Sequence, residues 1–224
     1  MKLSTETIEV LKNFSTINQS ILVKQGSVLK TMSPLKTIFV EAAVTEQFPR
    51  DFALYDVNKL LAKISLDKNS EITFESDRVV VATNDNRNFS FSKYCSPQVI
   101  VAPPDKGINL GAADCEFTLE QADLDWMRKS AGISGSPNFI FESDGESIHF
   151  MAWDVKDDAA DLSRIKIADG DGTKFRVVMK VENFKLVDGS YDVKIAKKGL
   201  ALFAHKTKPI KYFIAIEAGQ STFG

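Results

Sequence analysis

The chain has 224 residues, 44% of them hydrophobic and 26% charged, with 28 Lys and Arg against 30 Asp and Glu. That apolar content builds a core without disulfide or metal staples, and a net charge of −2 excludes a histone-like polycation while leaving room for local basic faces. Two histidines, His149 and His205, cannot make a histidine-rich metal centre, and two cysteines, Cys95 and Cys115, fit a reducing cytosol better than a disulfide framework.

The N-terminus lacks the apolar run of a signal peptide, and no later stretch reaches membrane-spanning length. Residues 5–18 place Ile8, Leu11, Phe14 and Ile17 three apart, which predicts one helical stripe. Strands are predicted at 20–25, 27–33 and 36–44. A second helix follows at 56–66, with Val57, Leu60, Leu61 and Ile64 inward and Lys59 and Lys63 on the opposite face. Three strands, at 71–76, 77–83 and 87–93, complete the first half.

Residues 96–114 carry Pro97, Pro103 and Pro104, so the segment is expected to run extended as a linker between domains 1–95 and 115–224. The second half repeats the plan. A helix is predicted at 118–131, capped by Thr118 and stopped by Gly132, with strands at 137–143, 146–153 and 162–169. A short fourth helix containing Lys185 precedes strands at 191–197, 198–206 and 210–218. Asn58 and Asn183 align in this repeat, 125 residues apart. The architecture predicted is α+β, two similar domains each made of two helix-plus-sheet repeats.

No phosphate-binding loop or dinucleotide fingerprint is present. Asp169-Gly170-Asp171-Gly172 reads as a hairpin turn, since the later oxygen ligands of a calcium loop are missing. Asp154, Asp157, Asp158 and Asp161 would share a helical face and could serve a two-metal nuclease, but a solvated charge cluster is the simpler account. Each helix offers a basic side chain away from its apolar stripe: Lys12, then Lys59 and Lys63, then Arg128 and Lys129, then Lys185. The helical segments taken together are not basic.

MKLS-x-x-T followed by LKNFSTIN, the segment LYDVNKLLAKISL, the linker run from Val99 to Pro103 and the terminal FIAIEA together resemble the sliding clamps of large tailed bacteriophages. The similarity spans nearly the whole chain and is strongest at 1–18, 53–66 and 209–218. It implies the DNA-clamp fold, closed as a homotrimeric ring with sheets outside and helices lining a hole for duplex DNA. It implies a non-enzymatic processivity factor without cofactor or metal, which tethers DNA polymerase in the cytoplasm of an infected bacterial host and is loaded by a separate ATP-driven clamp loader. Late-transcription proteins are further candidate partners.

By the same resemblance Lys12, Lys59, Lys63, Arg128, Lys129 and Lys185 face the hole, with Lys2 and Lys180 as weaker candidates. The seam joins an edge strand at 88–94, with Phe89 and Phe91, to one at 162–168, with Arg164 and Lys166, of the next chain. Partner peptides dock under the linker against Val99, Val101 and Pro104, with Tyr212 and Phe213. The rival readings are a duplicated β-rich structural oligomer of a phage particle and the aspartate-based nuclease.

Overall fold

The computed structural model describes residues 1–83, 85 and 87–224, which divide into two compact units, Met1–Gly107 and Ile108–Gly224. The proline-rich segment is thereby shared, its residues 96–107 belonging to the first unit and 108–114 to the second.

In the first unit α1 (Thr5–Ile17) starts at Ser4, whose Oγ accepts the Thr7 N–H at 3.1 Å. Leu11, Phe14 and Ile17 are buried, and Thr7 is buried with them. β1 (Ile21–Val23), β2 (Gly26–Met32), β3 (Ile38–Phe48) and β4 (Phe52–Leu54) follow. β1 pairs antiparallel with β4, and β2 with β3. Glu46, on β3, sends its buried carboxylate to the start of α1, where it accepts from the Ser4 N–H and the Thr7 hydroxyl. The Thr45 hydroxyl adds a third bond at 3.1 Å. A strand residue thus satisfies donors that the first helical turn leaves without partners.

α2 (Val57–Ser65) is capped by Asp56, which accepts the Lys59 N–H at 3.3 Å. Its Val57, Leu60 and Leu61 are buried, and it packs on α1. β5 (Glu71–Phe74), β6 (Arg78–Ala82) and β7 (Phe89–Lys93) form an antiparallel sheet with β6 in the middle.

The second unit opens with β8 (Cys115–Leu119), so Thr118 is a strand residue and caps nothing. α3 (Gln121–Ser134) begins three residues later than predicted and has no side-chain cap bond. Gly132 lies inside the helix, and the stop is Gly135, held in the left-handed region at φ 66° where a side chain would be strained. β9 (Asn138–Asp144), β10 (Ser147–Trp153), β11 (Ser163–Asp169) and β12 (Lys174–Lys180) come next. β13 (Tyr191–Ala196), β14 (Leu200–His205), β15 (Ile210–Ala215) and β16 (Thr222–Phe223) complete the chain. One sheet has the order β11-β10-β9-β12-β16, and β8, β13, β14 and β15 form consecutive antiparallel pairs.

This order corrects the reading of 169–172. β11 and β12 are not neighbours, so the segment is a crossing connection and not a hairpin turn. It lies over the β9–β10 turn, with the Gly172 N–H donating to Gly145 O at 3.0 Å. A Cβ on Gly170 would stand 2.4 Å from Gly145 O, which explains the glycine.

The fourth predicted helix is a single 3-10 turn, Val181–Asn183, and Asn183 is buried where its repeat partner Asn58 is exposed. Phe184 after the turn enters the core instead. Its ring lies 4.8 Å edge-on from Phe139 and 5.4 Å from Phe203, while Phe141 and Phe150 stack at 4.5 Å. The helix that would have put the four aspartates on one face does not form. Residues 154–161 make turns in which Asp154 and Asp157 accept backbone N–H groups of Lys156 and Ala159, and among the described residues no His, Cys, Asp and Glu are grouped to hold a metal.

Candidate nucleic-acid interface, strand edges and linker groove

The six predicted hole residues separate into three environments. Lys12 on α1 and Lys129 on α3 are exposed, as is Lys185 after the 3-10 turn. Lys59 on α2 is 77% exposed at its side chain and pairs with the Asp56 cap at 3.8 Å. A surface pair of this kind is weak and leaves the ammonium open to a phosphate.

Arg128 is occupied by its own chain. Its guanidinium donates to Phe184 O at 3.2 Å and to Leu186 O at 2.8 Å, with Asp188 at 3.8 Å. The fork pins the segment that replaces the fourth helix, a task suited to several donors on one rigid plane. Lys63 leans the other way from Lys59. Its Nζ donates to the Phe91 carbonyl and to Ser92 Oγ at 2.8 Å, so it reaches β7 and not open solvent. Of the two weaker candidates, Lys2 is exposed and Lys180 lies 3.8 Å from Glu182.

β7 and β11 each stand at the edge of their sheet. On β7, Phe89 is 58% exposed and Phe91 39%, their rings 6.2 Å apart, with the Arg78 guanidinium over Phe91 at 5.0 Å. On β11, Arg164 and Lys166 are exposed. Arg164 lies 3.1 Å from His149 Nδ1, and Lys166 pairs with Asp169 at 2.6 Å. Burial and the nearby Arg164 charge hold His149 below its usual pKa.

The linker's first half lies along the first unit. A 3-10 turn at Pro97–Val99 leads to buried Ile100, and the Val101 carbonyl accepts from Asn18 Nδ2 at 3.4 Å. Beyond it a groove of about 180 Å³ is lined by the apolar Leu22, Val28, Ala102, Pro103 and Pro104 together with the charged Lys24, Lys30 and Asp105. Of the residues expected under the linker, Pro104 lines this groove, whereas Val99, 59% exposed, and half-buried Val101 do not.

Tyr212 and Phe213 are buried in the second unit and present no surface to a peptide. The Tyr212 hydroxyl accepts the Val187 N–H at 3.2 Å, and Tyr191 donates to the Val187 carbonyl at 2.6 Å. Burial raises the pKa of both phenols. Leu22 and Val28 line the groove without having been expected there; the apolar pair Val28-Leu29 within a strand signals it, since alternation forces one of the two outward. Both cysteines are free, and burial pushes the Cys115 thiol up to about 12, which makes it an inert core residue.

Residues 4–102 match a family profile described as DNA polymerase processivity factor. Over 224 residues the chain is 30% identical to the sliding clamp of Vibrio phage KVP40, covering 97% of this chain and 100% of that one. At 12% identity it shares the fold of proliferating cellular nuclear antigen from Entamoeba histolytica, with a TM-score of 0.67 and 94% of each chain covered. It also superposes on the DNA polymerase III β subunit of Pseudomonas aeruginosa, with a TM-score of 0.66 over 94% of this chain, spanning 62% of that longer subunit.

Proposed function

Because the chain belongs to the sliding clamp family, we propose that it encircles duplex DNA and tethers a DNA polymerase to its template. The observation that carries this reading is the match along the entire length of a phage clamp, joined to two units built on one repeated plan. Neither the phage-particle component nor the nuclease is favoured: the matches are to clamps, Asp154 and Asp157 accept backbone N–H groups within turns, and among the described residues no carboxylates are grouped to hold a metal.

Three copies would supply six units of two kinds around the hole. Lys12, Lys59, Lys129 and Lys185 are the phosphate contacts, with Arg128 acting through the segment it holds. Sparse lysines on an otherwise acidic chain suit sliding, because exposed and screened contacts to phosphate carry no base information. Retention then comes from enclosure. The seam pairs β7 of one copy with β11 of the next, bringing Phe89 and Phe91 against the strand of Arg164 and Lys166.

The linker groove takes a short apolar peptide of the polymerase, and the clamp loader and late-transcription proteins compete for it in the host cytoplasm. Among the described residues no helix is long and apolar enough to cross a membrane. The reading is tested by loading the protein on nicked circular plasmid with an ATP-driven loader and then linearising the DNA. Release on linearisation, with retention on the circle, is the expected result. Equal retention on both forms would mean that affinity and not enclosure holds it.

A further inference from the structure

The ladder register of β7 fixes where its backbone points. The Thr83 N–H donates to Asn88 O and the Tyr94 N–H to Asp77 O, and Val79 and Val81 stand opposite Ser92 and Ser90. Bonded and non-bonded pairs alternate along an antiparallel ladder, so Ser90 and Ser92 exchange bonds with β6. The N–H and C=O groups of Phe89, Phe91 and Lys93 therefore face the open edge. Lys63 Nζ sits on one of those outward carbonyls, that of Phe91, with Ser92 Oγ as its second anchor. A lysine laid over an exposed strand edge is a known defence against indiscriminate pairing.

Resting on the ring reading above, we propose that Lys63 is a latch on the seam: it covers the Phe91 carbonyl in the separated subunit and swings away when the β11 edge of a second copy pairs there. The occupant is a second copy on grounds of charge and direction. All the pairings described within each unit are antiparallel. An antiparallel approach would run the Lys93 end of β7 toward Asp161 before β11, and the end that follows Arg87 toward Asp169, which Lys166 holds at 2.6 Å in the separate chain. The incoming ladder N–H needs the same Phe91 oxygen that the ammonium already occupies. Lys63 thus opposes closure, and its position on α2 distinguishes it from Lys59, which faces solvent.

The test uses the full chain with Lys63→Met, which keeps the stem and removes the ammonium, and Lys63→Gln as a second variant. Equilibrium sedimentation over a concentration series reads assembly, and the salt dependence of retention on circular DNA reads phosphate contact. For both variants the concentration of half-dissociation should fall by about threefold, the scale of one exposed charged contact, with the salt dependence unchanged. Weaker assembly would mean that Lys63 holds the closed seam and overturns the latch. Unchanged assembly also overturns it, and a reduced salt dependence would then return Lys63 to the hole. A parent chain that stays monomeric at every concentration overturns the ring reading itself, and the latch with it.

Discussion

The two units follow one plan and hold it together differently. In the first, the second helix is a nine-residue α-helix, capped by Asp56 and buried through Val57, Leu60 and Leu61. In the second, the corresponding place is a three-residue 3-10 turn, and stability there comes from Phe184 in an aromatic cluster and from the Arg128 fork. A repeated backbone plan needs its layers filled, and the filling side chains need not be the same. The same contrast governs charge, because a basic residue on an intact helix can stay in solvent, as Lys59 does, whereas Arg128 serves the segment that replaces a helix.

The largest expected effect lies in the aromatic core. Phe141→Ala, which removes the ring stacked on Phe150, should cost about 3–5 kcal/mol in denaturant unfolding. A loss below about 1 kcal/mol would mean that the cluster collapses around the gap. Arg128→Met should follow, at about 1–3 kcal/mol, by leaving the Phe184 and Leu186 carbonyls without their charged donor. Arg128→Lys should not restore it, since one ammonium cannot reproduce the fork. Full rescue by lysine would make Arg128 an ordinary surface cation and erase the contrast between the units.

In the first unit, Glu46→Gln should cost about 1–2 kcal/mol at neutral pH. Burial raises the Glu46 pKa, but the hydrogen bonds from Thr7 and Ser4 outweigh it and hold the carboxyl below its ordinary value. Its contribution is therefore fully present above the unfolded carboxylate pKa and is lost as pH falls through the depressed folded one. Parent and Glu46→Gln stabilities should converge on acidification, and parallel stability curves down to low pH would refute the assignment. Asp56→Ala should cost about 1 kcal/mol and Glu120→Ala only a few tenths, because Asp56 bonds the first turn of α2 and Glu120 makes no cap bond to α3. Equal losses would remove the distinction. Smallest in stability is Lys12→Glu with Lys59→Glu, within about 0.5 kcal/mol by thermal melting. Retention on circular DNA should nevertheless weaken, and a variant equal to the parent in low salt would take both lysines out of the hole.

Local periodicity carried the helices and most strands. Of the two predicted stripes, Leu11, Phe14 and Ile17 and then Val57, Leu60 and Leu61 are buried while Ile8 and Ile64 are half-buried, and the period is a property of the segment itself. Failures came where neighbours compete. Thr118 and the following residues read as a helix start, but pairing with β13 draws Cys115–Leu119 into a strand and delays α3 to Gln121. β12 went unread because Phe175, Val177, Val178 and Met179 form a nearly continuous apolar run, which marks burial on both faces without naming the element.

The residue types alone determined the α+β class, the duplicated plan, the absence of a phosphate loop and which basic side chains the helical segments carry. Where those side chains end was decided by tertiary structure. Lys59 and Lys63 are four apart on one helix and equivalent by periodicity, yet one meets solvent and the other the edge of β7. Tyr212 and Phe213 sit in a sequence run that resembles a clamp's C-terminus, yet both are buried, while Leu22 and Val28 line the linker groove. A side chain's period is set by its own backbone. Its partner is set by which distant segment passes within a few ångströms, and that is a consequence of the packed fold.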